Sequence, residues 1–91
     1  MAKKRDRLEI IYSILSIIQK QKNSIRPTPL LRYSNVSSQR FAEYYEELIT
    51  KGFVRENIDK SDRKYISLTD KGFMFLEKYK LILGFIDEFD L

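Results

Sequence analysis

Glu47-Leu48-Ile49-Thr50-Lys51-Gly52-Phe53-Val54-Arg55-Glu56-Asn57-Ile58 changes its hydrophobic period halfway along, and that change decides the fold. Before Gly52 the apolar residues follow a helical period: Phe41, Tyr45 and Leu48 form one face, with Tyr44 and Ile49 at its borders. After Gly52 the period falls to two, so Val54, Glu56 and Ile58 share one face of a strand. Gly52 stands where a helix commonly ends on a left-handed residue, and Phe53 is placed to meet Leu48 across that ending. Traced back to Ser37 as its N-cap, the helix is expected over 37–51.

Working outward, Ile66 and Leu68 repeat the two-residue period, and Asp59-Lys60-Ser61-Asp62-Arg63 is the polar connection, which predicts a hairpin over 53–68. Thr69 caps a last helix over 69–89, in which Gly72 and Gly84 each weaken the helix by roughly 1 kcal/mol relative to alanine. Upstream, Leu8, Ile11, Leu15 and Ile18, widened by Ile10, Ile14 and Ile17, predict a largely buried first helix over 6–22. Pro27 disfavours helical geometry at Arg26. Thr28-Pro29 then reads as an N-cap with proline at the first helical position, for a short helix over 29–33 that turns Leu30 and Leu31 inward. Ser34-Asn35-Val36-Ser37 is the turn that follows.

The 91 residues therefore form one domain, 1–91, mainly α with a small β-hairpin. Two short helices joined by a turn, the second followed directly by a hairpin, describe a winged helix-turn-helix, here with a long C-terminal helix.

Composition removes most chemistries. The chain has no cysteine and no histidine, so thiolate nucleophiles, imidazole bases, disulfides and the usual zinc sites are excluded. No metal site, cofactor or enzymatic activity is expected. No apolar run approaches the roughly 20 residues of a membrane span, and Met1-Ala2-Lys3-Lys4-Arg5-Asp6-Arg7 leads into a helical pattern rather than a signal-peptide core. The expected location is the cytoplasm, in association with the nucleoid, with no membrane partner.

Charge is distributed unevenly. Residues 1–40 carry nine Lys/Arg against Asp6 and Glu9, whereas residues 41–91 carry eight against eleven Asp/Glu. The basic part suits a polyanion. On the third helix, Gln39 suits adenine and Arg40 suits guanine or a phosphate, while Ser37, Ser38 and the free amides of the first turn suit a phosphate. Ser37 has a second reading as a plain helix cap. Lys60, Arg63 and Lys64 on the hairpin suit phosphates or the minor groove. Lys3, Lys4, Arg5 and Arg7 form a further set, read either as an arm along the DNA backbone or as a solvated end. Against strong base reading stand Glu43, Glu46 and Glu47, which helical pairs with Arg40 and Lys51 would partly neutralise.

In the last helix, Phe75, Tyr79, Ile82, Ile86 and Phe89 follow spacings of four and three, as along a coiled-coil seam. Its first turns are expected to close the domain's own core and its later turns to pair with a second copy, giving a homodimer. Two recognition helices on one symmetry axis then read two half-sites.

The chain resembles the small archaeal winged-helix proteins grouped as predicted transcriptional regulators, whose relatives are basic DNA-binding dimers. The likeness lies in Arg7-Leu8-Glu9-Ile10-Ile11-Tyr12-Ser13-Ile14-Leu15, Leu30-Leu31 with Ser34-Asn35-Val36-Ser37, Glu47 to Val54, and Tyr65-Ile66-Ser67-Leu68-Thr69-Asp70-Lys71-Gly72-Phe73 with Phe75-Leu76-Glu77-Lys78-Tyr79. It implies dimerisation through the last helix and contact with double-stranded DNA through Ser38, Gln39, Arg40, Lys60, Arg63 and Lys64. The order Arg32-Tyr33 departs from the family's aromatic-then-basic pattern. The function expected is that of a dimeric DNA-binding transcriptional regulator. The alternatives are a sequence-tolerant chromosomal DNA-binding protein and a winged-helix protein-interaction module, the latter suggested by the acidic face and the Asp87-Glu88-Phe89-Asp90-Leu91 tail.

Overall fold

The computed structural model describes residues 6–91. Its order is α1 (Arg7–Lys20), α2 (Pro27–Ser34), α3 (Ser38–Thr50), β1 (Val54–Ile58), β2 (Lys64–Leu68) and α4 (Asp70–Glu88). Among the described residues, no helix is long and apolar enough to cross a membrane.

α1 opens with a reciprocal cap. The Asp6 carboxylate accepts from the Glu9 amide at 2.8 Å, and the Glu9 carboxylate accepts from the Asp6 amide at 3.3 Å. The helix stops at Lys20, short of the expected residue 22, because Lys22 turns left-handed (φ 59°) and donates to the Gln19 carbonyl while Asn23 donates to that of Ile18. The buried face is Ile10, Ile11, Ile14, Leu15 and Ile18. Leu8, expected in the stripe, is 47% exposed, two residues before the first buried position, Ile10.

α2 starts at Pro27, with Arg26 extended before it (φ −76°, ψ 154°) as the N-cap. The sequence rule for proline at the first helical position holds, but for Pro27 rather than Pro29, and Thr28 is not the cap. Pro29 lies in the same first turn, where its missing N–H has no intrahelical acceptor to lose. Leu30 is buried, Leu31 is half-buried, and the helix runs one residue beyond the expected end, to Ser34, before Asn35 turns left-handed (φ 59°).

α3 ends as its sequence requires. Gly52 is left-handed (φ 78°), Phe53 donates to the Leu48 carbonyl at 2.9 Å and Gly52 donates to the Ile49 carbonyl at 3.1 Å. β1 and β2 pair antiparallel, with Val54 opposite Leu68, Glu56 opposite Ile66 and Ile58 opposite Lys64. Val54, Ile66 and Leu68 are buried at the root of the hairpin, while Ile58 is 60% exposed because the wing extends past the core. A single residue, Ile25, pairs with Ile66 on the other side of β2, an edge too short to give any periodic signal.

Ile14, Leu30, Leu48, Ile66 and Leu76, one from each of five elements, are fully buried and form the centre of the core. Truncation of such a leucine to alanine costs roughly 2–5 kcal/mol. α4 closes over them. Thr69 caps it by accepting from the Gly72 amide, and the Thr69 hydroxyl donates to the Gly52 carbonyl. Lys71 reaches back to the Lys51 carbonyl at 2.7 Å, placing a cation at the C-terminus of α3.

Candidate nucleic-acid interface

Ser37 spends its hydroxyl on the cap, accepting from the Arg40 amide at 3.2 Å. That orders the first turn of α3 and leaves Ser38, Gln39 and Arg40 exposed, with Gln39 on the face away from Phe41 and Leu48. The Arg40 guanidinium lies 6.0 Å from the centre of the Tyr44 ring rather than on Glu43, so the expected Arg40–Glu43 pair is replaced by a cation–π contact.

The acidic stripe is only partly neutralised. Glu47 takes both Arg7, from α1, and Lys51 at 2.8 Å. The Lys51 pair follows from the i,i+4 spacing, whereas the Arg7 pair bridges 40 positions. Glu43 and Glu46 remain exposed and carry no ion pair among the described residues. Two carboxylates on the outer face of α3 work against tight approach to phosphates.

The wing connection is built around Asp59. One carboxylate oxygen accepts from the Ser61 and Arg63 amides at 2.9 and 3.0 Å, and the other accepts from the Arg26 guanidinium at 2.5 Å. Arg26 also donates to the Lys64 carbonyl at 2.9 Å, so it holds both sides of the hairpin end. Lys60 and Arg63 are exposed with no ion pair among the described residues, while Lys64 lies 3.5 Å from the Glu56 carboxylate. The same carboxylate oxygen accepts from the Tyr45 hydroxyl at 2.6 Å, joining β1 to the middle of α3. Burial, and then the Glu56 carboxylate, push the Tyr45 phenol well above its ordinary range.

The Arg26 hydrogen bond, reinforced by the Arg63 and Ser61 amides, lowers the Asp59 pKa from 3.8 to about 2. A folded value below the unfolded one contributes stability that is present above pH 3.8 and lost as pH falls toward 2. Thermal unfolding across that window is therefore expected to show a smaller acid-induced drop in Tm for Asp59→Asn than for the wild type. Equal drops would remove Asp59 from the acid limb.

The cations thus divide. Arg40, Lys60 and Arg63 are available to a ligand, Lys64 is shared with Glu56, Arg7 is engaged by Glu47, and Lys3, Lys4 and Arg5 lie outside the described residues. Arg26 carries no signal in the sequence as a site residue, since its partner is 33 positions away and no local spacing points to it. Among the described residues no group of three or more acidic, cysteine or histidine side chains could hold a metal ion.

The α4 seam also divides. Phe75 meets Phe53 edge-on at 5.5 Å and stacks on Tyr79 at 5.8 Å, while Tyr79 lies 4.7 Å from Tyr12 of α1. Burial, followed by the nearby Asp6 and Glu9 carboxylates, raises the Tyr79 phenol. These two residues pack on rings of other segments, whereas Ile82, Ile86 and Phe89 are 53%, 41% and 57% exposed, with Phe89 against Phe85 of α4 at 4.9 Å.

The sequence matches the winged helix-turn-helix family model over residues 4–85. No curated protein matches it. Among solved structures it is similar to Sso10a-2, a DNA-binding protein from Sulfolobus solfataricus, at a TM-score of 0.73 and 18% identity, covering 93% of this chain and 85% of that one. It is similar to the PcaV transcriptional regulator from Streptomyces coelicolor in complex with its natural ligand, at 0.77 and 16% identity, over 100% of this chain and 64% of that one. A mutant MarR from E. coli complexed with operator DNA gives 0.69 and 21% identity, over 81% and 54%. At these identities the likeness is one of fold, and the chain spans less than two thirds of the length of the PcaV and MarR chains.

Proposed function

The chain belongs to the winged helix-turn-helix family, and from that premise we propose that it is a regulator that binds double-stranded DNA as a homodimer. The observation that carries the reading is the pairing of an exposed, capped first turn of α3 (Ser38, Gln39, Arg40) with a wing whose Lys60 and Arg63 carry no ion pair among the described residues. Helix amides and Arg40 address the major-groove side, while the wing cations address phosphate or the minor groove. The likeness to Sso10a-2 and to MarR with its operator supports the same mode of use. The proposal assigns the chain no catalytic step and places it in the cytoplasm, on the chromosome.

Binding to a short duplex, titrated at several salt concentrations, is expected to weaken steeply, with a logarithmic slope of about −0.9 per phosphate neutralised. Replacing Lys60 and Arg63 together by alanine is expected to reduce that slope by about 2 per protomer, uniformly across sequences. A flat salt response in the wild type would refute DNA binding through these residues.

Glu43 and Glu46 favour one refinement. Exposed carboxylates on the reading face limit contact to the first turn of α3, so the ratio of specific to nonspecific affinity is expected to be small. Selection from random duplexes distinguishes the two uses. A short, weakly enriched motif fits a regulator with modest base reading, and no enrichment fits sequence-tolerant coating of the chromosome.

Dimerisation is assigned to the outer half of α4. Leu81, Ile82, Phe85, Ile86 and Phe89 form an exposed apolar surface beyond the core, of the kind that marks an interaction site. A second α4 offers matching surface through a two-fold axis.

A further inference from the structure

Beyond Ile66, which is buried in the core and paired with Ile25, the wing has almost no apolar attachment to the domain. Glu56 and Ile58 are exposed, and a two-stranded hairpin alone is marginal in water. Besides the Ile25 pairing on β2, two polar straps from different helices reach it. From the start of α2, Arg26 bonds the Asp59 carboxylate at 2.5 Å and the Lys64 carbonyl at 2.9 Å. From the middle of α3, Tyr45 bonds the Glu56 carboxylate at 2.6 Å, and that carboxylate also lies 3.5 Å from Lys64. The straps grip opposite parts of the hairpin and tie it to both helices of the helix-turn-helix.

We propose that Arg26, Asp59, Tyr45 and Glu56 are positioning residues that fix the direction of the wing relative to α3, so that Lys60 and Arg63 meet the duplex together with the first turn of α3. The inference rests on the DNA-binding reading above. It gives two carboxylates, which electrostatics alone would make unfavourable beside a polyanion, a favourable part in binding. A preorganised wing avoids the ordering cost that a mobile one incurs on association.

This reverses the sign of a simple charge argument, and the reversal is the test. Asp59→Asn and Glu56→Gln each remove a negative charge near the proposed DNA surface, so electrostatics alone predicts tighter binding. Asparagine at 59 retains an oxygen for the Ser61 and Arg63 amides, so the turn is kept while the ionic pair with Arg26 is lost. With a disordered wing, duplex affinity is expected to fall about three- to tenfold for each variant, measured below the melting transition of every protein compared. Backbone relaxation of the Lys60 to Arg63 amides should show greater fast motion without DNA present. Adding Arg26→Gln to Asp59→Asn should weaken binding by less than Asp59→Asn did, because only the bond to the Lys64 carbonyl remains to be lost.

Binding by Asp59→Asn that equals or exceeds the wild type, or wing amides as rigid as in the wild type, overturns the positioning role. Tightening in Asp59→Asn that is abolished by Arg26→Gln would mean that Arg26, once released, touches phosphate itself, and also overturns it. A wild-type protein that fails to bind duplex even at low salt overturns the DNA-binding reading and this proposal together, whereas the preceding outcomes leave DNA binding standing.

Discussion

Replacing Ile82 and Ile86 together by glutamate is expected to convert the protein to a monomer and to weaken its binding to a two-site duplex by about 100-fold or more. Both side chains lie exposed on the outer half of α4. Burying an isoleucine contributes roughly 1.5–3 kcal/mol, and a two-fold interface counts each position twice. Four carboxylates on that surface would both remove the gain and repel one another. The loss in DNA binding exceeds the loss of any single contact because a dimer's second domain binds at an effective concentration far above its bulk value, an advantage of order 10²–10⁴. Sedimentation should show the single-chain mass, and binding to a duplex carrying one site should change far less than binding to one carrying two. A wild type that already sediments as a single chain would refute the dimer, and a double variant that keeps a dimeric wild-type mass would place the interface elsewhere. The inner residues Phe75 and Tyr79 make a poorer test, since their rings pack on Phe53 and Tyr12, and truncation there damages the fold itself.

The second large effect is one of stability. Gly72→Ala is expected to destabilise the domain by roughly 3 kcal/mol, the upper part of the range for overpacking. By helix propensity alone the same change should stabilise α4 by about 1 kcal/mol. The close packing decides the sign. A Cβ at position 72 would stand 2.3 Å from the Phe53 carbonyl oxygen and 3.3 Å from a Leu68 methyl. That carbonyl is backbone, and it accepts from the Thr69 amide at 3.1 Å, so moving it disturbs both the end of α3 and the start of α4. For a domain of this size, about 3 kcal/mol corresponds to a fall in Tm of about 12–24 °C. Urea unfolding should show a lower midpoint with the slope retained. A variant as stable as the wild type would mean that α4 does not approach Phe53 this closely.

Gly72 also marks where reading the chain in one dimension stops. As a residue inside a helical pattern it is a weak point, whereas in three dimensions it is the contact that lets α4 cross the α3–β1 junction. Proline shows the same limit on a smaller scale. The preference for proline at the first helical position is local, and Pro27 and Pro29 both satisfy a first turn. Pro27 takes that position, with Arg26 extended before it and the Arg26 guanidinium bonded to the wing. The seam of α4 reads as continuous because spacing alone does not distinguish a ring packed on α1 from a side chain left in water. Tyr79 meets Tyr12 across 67 positions of sequence, and Ile86 stays exposed.

Features governed by neighbours three or four residues apart were determined by the sequence alone. The capped start of α3 at Ser37, its left-handed ending at Gly52, the change of period into the hairpin, the Glu47–Lys51 pair and the Thr69 cap all arise from local backbone geometry and side-chain reach. Tertiary structure alone decided which charges are available to a partner. Arg7 is drawn to Glu47, Arg26 to Asp59 and Lys64 toward Glu56, so of the cations on the first turn of α3 and the wing connection Arg40, Lys60 and Arg63 carry no ion pair among the described residues. The physical reason is that an ion pair forms where folding brings two side chains within a few ångströms, and chain separations of 40 and 33 carry no local signal of that approach.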